Sequence, residues 1–411
     1  MKSDSSATYG TLAIVAYLLF AVGPLVGNAV LVLLGAIANE FSIDPTVVLI
    51  AVPAFMFPFA VVQLFSGALS DLYGRVPVIA TGLVVYAVGL LITGWAATLE
   101  IFILGNLLSG LGFGFVNPVL IALLTDGVFP EEIPRRMGIA GALAALSVGV
   151  GPFIAGLMIG LGWRSFYFLF LGIVIVGMAS IYLSKRPSRN VREGSGLRQL
   201  FRNLSLELRR PVVLILLASA FMVSMSYIGT LIWTSRGLAG AIAEDTVGIL
   251  LLGAGISGAV AGIVFGAVAK ERGTGGLLGL AIVALLSAIL ILVFIGDITT
   301  QSALPLVGIA LFVDGWAGGT LFPALIYYSQ VLSPERRGAL SGVVSFSNFF
   351  GISLVPMLYE PLFLQSITSV YYGILVVAVL LLLFLVPLYR LTPLHRNILS
   401  ETIRRTQYEP T

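Results

Sequence analysis

Few side chains in this 411-residue chain are equipped for chemistry. Cysteine is absent, and the single histidine, His395, lies beyond the last long apolar run. Thiolate chemistry, disulfides and Cys- or His-based metal clusters are thereby excluded from the apolar segments. One acid stands deep within such a segment: Asp314, near the middle of the run 304–328. On insertion scales an aspartate at that depth costs about 2.5 to 3.5 kcal/mol, so its presence calls for a use. With no cation beside it, the charged form is disfavoured. The group could then take up and release a proton, or act as counter-ion to a cationic ligand. An acid held neutral by a polar neighbour is the plainer alternative.

Four amides lie at similar depth: Asn28, Asn106, Asn117 and Asn348. They could line one cavity with Asp314, or each could be a helix–helix hydrogen bond. Tyr227, Trp233, Trp316 and Tyr327 could supply an apolar wall, although aromatic residues in such runs are more often packing. A second constellation is polar and short. Gly67, Asp71, Gly74 and Arg75 sit between the runs 46–66 and 76–97. Two small residues and an acid–base pair four residues apart suggest a connector that touches another part of the protein.

The elements that must position these residues are membrane spans. Hydrophobic residues make up 58% of the chain and charged residues only 10%, against about 25% charged in a soluble domain. Twelve runs are long enough to cross the hydrocarbon as helices: 11–36, 46–66, 76–97, 100–124, 138–160, 165–183, 211–234, 246–268, 275–296, 304–328, 338–358 and 370–389. A membrane barrel would show alternating ten-residue segments, and these do not. The expected fold is all-α, with twelve transmembrane helices in two six-helix bundles. The bundles are expected at 1–184 and 211–390, with a basic linker at 185–210 and a tail at 391–411. The first run is too long for a cleaved signal peptide and reads as a retained helix.

Charge sorts by side. With the N-terminus inside, every Lys and Arg except Arg164 and Arg236 falls on the cytoplasmic face, which places both termini there. The basic excess thus reads as topology and not as nucleic-acid binding. In the linker, Leu197, Leu200, Phe201, Leu204 and Leu208 recur at helical spacing and suggest an amphipathic surface helix, or else a solvated linker. The second half of the chain echoes the first. Gly266 to Gly273 aligns with Gly67 to Gly74, with Lys270 in the place of Asp71. Gly315, Gly319 and Pro323 repeat the spacing of Gly110, Gly114 and Pro118. Such duplication is common in transporters, with the solute site between the halves near the bilayer midplane.

Gly67-x-x-x-Asp71-x-x-Gly74-Arg75 resembles the signature loop of the major facilitator superfamily, and the twelve-helix plan fits it over nearly the whole chain. The resemblance implies a cytoplasmic gate in which Asp71 faces the helix that starts near Gly338 and Arg75 pairs with Asp126. Gly138-x8-Ser147-x3-Gly151-Pro152-x2-Ala155-Gly156 is similar to the antiporter motif of the drug:proton exchangers. The run Ala36 to Phe41 and the pair Trp163-Arg164 look like that branch too. Leu72 and Val76 depart from the signature, and Asn106 stands where many of these antiporters carry an arginine tied to proton coupling.

The function this implies is secondary transport of a small amphipathic or cationic molecule across the cell membrane by alternating access. Efflux in exchange for protons is the leading form. An uncoupled or differently coupled facilitator for a sugar, organic acid or peptide is the alternative. No enzyme activity, cofactor or metal is expected, and the protein should work as a monomer in the lipid bilayer. A membrane enzyme would need grouped nucleophile, base or metal ligands, and a receptor would need a larger outer domain; the sequence offers neither.

Overall fold

A computed structural model describes residues 2–125, 133–183, 202, 204–272, 274–333 and 337–391. Twelve helices are long and apolar enough to cross a membrane. They are α1 (Lys2–Phe41), α2 (Ala51–Tyr73), α3 (Arg75–Gly94), α4 (Leu99–Thr125), α5 (Ile133–Met158), α6 (Arg164–Leu183), α7 (Pro211–Leu238), α8 (Glu244–Arg272), α9 (Gly275–Ile295), α10 (Leu304–Leu332), α11 (Arg337–Phe363) and α12 (Ile367–Leu391). Each reads as an apolar run with its breakers at the ends. Prolines inside spans, such as Pro24, Pro58, Pro118 and Pro323, do not end them, because neighbouring helices can satisfy the freed carbonyls.

Two connectors are shorter than the sequence suggests. The stretch Gly67 to Arg75 is helix through Tyr73, and the whole turn is Gly74, at φ 91°. That backbone region suits glycine, so one residue reverses the chain. At the other end of α2, Asn39 to Phe41 continue α1, since no Gly or Pro intervenes before the break at Ser42 (φ 56°). Most of the linker, 184–201 and 203, and the tail from 392 on lie outside the described residues. Of the proposed amphipathic stripe, Leu204 is buried and Leu208 is exposed.

Packing repeats after six helices. In the first half, α1 lies on α5 and α6, α2 on α4, and α3 on α4 and α6. In the second, α7 lies on α11 and α12, α8 on α10, and α9 on α10 and α12. The halves meet along two seams, α2 with α11 and α5 with α8.

Both seams are closed only part of the way. The face bearing the ends of the chain is called here the termini face, and the opposite one the far face. A methyl group on Gly149 of α5 would lie 2.4 Å from the Leu251 carbonyl and 3.0 Å from the Cα of Gly255 on α8. Toward the far face the seam stays tight, with Gly156 against the backbone of Glu244. Eleven residues toward the termini face, Gly138 and Gly266 occupy the same stripes, yet a methyl group on either would meet nothing within 4 Å. In the other seam Phe59 and Phe349 touch edge to face at 4.7 Å, while Gly342, seven residues along α11, likewise faces open space. The halves therefore diverge toward the termini face and leave a cleft between them.

On the far face the halves are fastened. Arg236, at the end of α7, donates to Asp44 Oδ1 (2.9 Å) and to Thr46 Oγ1 (2.8 Å) in the connector of the first half. Its guanidinium also lies 4.8 Å over the Phe363 ring. The Thr46 hydroxyl and amide, with Arg236, hold the Asp44 carboxyl below its ordinary value, against a smaller opposing effect of burial. A depressed carboxyl supports the fastened state above its usual pKa of about 3.9 and loses that support as pH falls through the lowered value. Arg236→Ala is expected to part the far face at neutral pH. Wild type should begin to part only in acid, below about pH 4. Distances between spin labels on introduced cysteines at Val47 and Ala243 would show both; no change in the variant would remove the lock.

Candidate transport site

Asp314 sits on α10 and is 0% exposed. Four residues on, Gly318 shares its face of the helix, and the Tyr227 ring of α7 packs directly against that glycine. Neither carboxylate oxygen has a hydrogen-bond partner among the described residues. The acid is therefore sealed inside the second half and not displayed on the cleft wall. Holding the charged form there carries a heavy desolvation cost, because among the described residues nothing replaces the lost water. A bound cation would need the α7–α10 contact to open first.

The structure does not bring the other predicted cavity residues together. Asn28 donates from Nδ2 to the Pro24 carbonyl (2.8 Å), and Asn106 donates to the Phe102 carbonyl (2.8 Å). Both amides bond within their own helices. Asn348 accepts from the Ser224 hydroxyl at 3.3 Å, joining α11 to α7 within one half. Trp233 is fully buried, donates to the Val355 carbonyl at 3.4 Å and lies 4.9 Å from the Phe363 ring. Tyr327 is half-buried with its ring 6.3 Å from Phe265, and Trp316 is half-buried in α10. Asn117 differs from these. Its Oδ1 is enclosed without a partner among the described residues.

At the termini end of α2, Asp71 and Arg75 form an ion pair of 2.8 Å across Gly74, and Arg75 also donates to the Ser70 hydroxyl. Asp126, the partner expected for Arg75, lies outside the described residues. Gly338 falls in the first turn of α11. Among the described residues Asp71 pairs with Arg75; residues 334–336, just before α11, lie outside the described residues.

The small residues of α5 pack on both sides of that helix. A methyl group on Gly151 would lie 2.0 Å from the Leu25 carbonyl of α1, and Gly156 meets Glu244 of α8. Ala155 is fully buried, and Ser147 bonds its own helix through the Leu143 carbonyl (2.6 Å). Pro152 lies within the helix, facing Gly248 through its carbonyl. At the far end of the first half, Glu40 accepts from Trp163 Nε1 (2.5 Å) and pairs with Arg164, which also donates to the Ala96 carbonyl (2.6 Å).

A model of the Major Facilitator Superfamily matches residues 10–356, the span that holds both seams and the cleft. The chain belongs to the Major Facilitator Superfamily. It is a multi-pass membrane transporter and not an enzyme. It is 28% identical over 196 residues to a methylenomycin A resistance protein of Bacillus subtilis (strain 168), an alignment covering 47% of this chain and 42% of that protein. It is 24% identical over 333 residues to multidrug resistance protein 1 of the same organism, covering 79% and 83%. The matched region thus spans less than half the length of the methylenomycin relative. In fold it is similar to a crystal structure of the nucleoside transporter NupG, with TM-score 0.75, 14% identity, and 93% and 100% of the two chains covered.

Sequence reasoning missed the aromatic contact between the halves. Phe59 stacks on Phe113 of α4 (5.7 Å) and meets Phe349 across the seam. The i, i+4 spacing of Phe55 with Phe59, and of Phe346 with Phe350, was the available signal. Arg236 was equally visible as one of two basic residues on the outer side.

Proposed function

We propose that this facilitator exports a small amphipathic molecule in exchange for protons, with Asp314 as the proton-carrying acid. The observation that carries the reading is the enclosure of Asp314 at mid-depth with both oxygens unpartnered among the described residues, one turn from Gly318, where Tyr227 of a facing helix packs. A proton bound there neutralises a group that could not otherwise remain buried, and its release requires α7 and α10 to separate. Proton binding is thereby tied to a change in helix packing. Both termini lie in the cytoplasm of the cell in this reading, as the distribution of Lys and Arg supports. The conformation described is then inward-facing: the far-face lock is made and the cytoplasmic seam is open. In the opposite state Asp71 would leave Arg75 for the start of α11, where free backbone N–H groups favour an anion. The resistance named in two relatives agrees with efflux.

A second reading has an observation in its favour. Asn106 stands where many of the coupled antiporters carry an arginine, and both it and Asn28 are spent on their own helices. A facilitator without coupling would need no more. Purified protein in weakly buffered detergent separates the two. With antiport, addition of a transported drug should release close to one proton per protein, falling to none once Asp314 is replaced. A release of zero from the wild type would favour the uncoupled facilitator.

A further inference from the structure

The buried amides of the spans fall into two groups. Asn28, Asn106 and Asn348 each have a bonding partner inside the protein. Gln63 and Asn117 do not. Gln63 is only 8% exposed, yet its Nε2 is enclosed without an acceptor. Asn117 is half-buried, and its Oδ1 is enclosed without a donor. Among the described residues neither side chain makes any hydrogen bond. Leaving such groups unsatisfied costs roughly 1–3 kcal/mol each, so two in one place call for a ligand.

Their common location follows from helix geometry. Phe59 and Phe113 stack on each other at 5.7 Å. Gln63 lies four residues after Phe59 and Asn117 four residues after Phe113, so each shares the face of its phenylalanine one turn toward the termini face. Helices α2 and α4 both run in that direction and pack side by side. The two amides are therefore neighbours immediately beneath the stacked rings. Phe349 of the other half touches Phe59 here, where the seam is still closed and beyond which it parts. The site thus has an aromatic ceiling, a donor and an acceptor bordering the seam near the apex of the cleft; both polar atoms are enclosed in this conformation, so a ligand meets them only once the side chains around them give way. Pro118, beside Asn117, lacks the N–H that would bond the Gly114 carbonyl and leaves a further acceptor close by.

Charge is missing from it. Asp314, the acid at comparable depth, is sealed in the other half, and Asp71 is paired with Arg75 at the termini end. A cation entering the apex would lose water and meet no counter-ion. We infer that Gln63 and Asn117 form a substrate subsite for an uncharged molecule with a flat apolar body and a neutral amide-type group, which accepts from Gln63 and donates to Asn117. This deepens the transport reading by naming a substrate class, and it rests on that reading only in taking the cleft as the solute path.

Three compounds of nearly equal size test it: 1-naphthaleneacetamide, its ester analogue methyl 1-naphthaleneacetate, and 1-naphthylmethylammonium. Binding to the purified full chain, read by equilibrium dialysis, needs neither a proton gradient nor Asp314, so it can fail or succeed independently of the coupling assignment. The amide is expected to bind at least about tenfold more tightly than either analogue. Gln63→Met and Asn117→Leu should each erase most of that preference while leaving the weak binding of the ester in place. Equal binding of the three compounds, tightest binding of the ammonium, or no binding at all would overturn the proposal on the wild type alone. An unchanged amide preference in both folded variants would overturn it as well.

Discussion

Asp314→Asn is expected to reduce pH-driven transport in proteoliposomes to the background of empty vesicles while the protein still folds and inserts. Asparagine keeps the volume and polarity of the side chain but holds no exchangeable charge. Binding of an uncharged solute should survive, because Asp314 lies outside the cleft apex. Thermal stability should rise, and more so in Asp314→Leu, since an enclosed carboxyl without partners is replaced by a group that needs none; removal of such a penalty is worth about 1–3 kcal/mol. A structural acid would behave in the opposite way, with lower stability and retained coupling. Gradient-driven flux at wild-type level in folded Asp314→Asn would reject the assignment.

The second large effect concerns two glycines two residues apart. Gly149 and Gly151 lie on opposite sides of α5, since two helical residues turn through about 200°. Gly149 abuts α8 of the other half, and Gly151 abuts α1 of its own half. Gly151→Val places its Cβ 2.0 Å from a backbone carbonyl that cannot swing away. Overpacking of this kind costs about 1–3 kcal/mol or more, and the expected result is a first half that does not assemble, seen as loss of the monodisperse peak in detergent. Gly149→Val pushes on the seam alone. It should leave a folded, monodisperse protein whose transport falls at least about tenfold because the halves cannot seat. If both variants fold and transport normally, the seams are not the close contacts described here.

These residues also show where the sequence was legible. Membrane spans declare themselves because crossing lipid demands an unbroken apolar length, and all twelve could be read from 58% hydrophobic content and its interruptions. Helix ends were read less well. The Gly67–Arg75 stretch looked like a loop because its residues are polar, whereas one φ-permissive glycine suffices to turn the chain. At the site, depth was readable and direction was not. Asp314 could be placed at mid-membrane from its position in the run, but only its full burial, and the packing of Tyr227 on Gly318 one turn along the same face, show that it points into its own bundle. Asn28 and Asn117 look alike in sequence. One is spent on Pro24 and the other is left waiting, and that difference depends on which neighbour each helix turn faces.

The paired glycine stripes of α5 and α8 have a mechanical consequence. Gly149 and Gly255 are seated against each other, while Gly138 and Gly266 stand vacant eleven residues along. Eleven residues make three turns with about 20° to spare, so both pairs lie on almost the same line of each helix, roughly 16 Å apart. Seating the vacant pair would therefore not require either helix to spin about its axis. The two rods could roll on each other like a rocker on a flat bearing, giving up contact at one end as they gain it at the other. With no long side chain along the line to be re-sorted, such a roll would meet little friction, and the travel between states would be limited chiefly by what is fastened at either end.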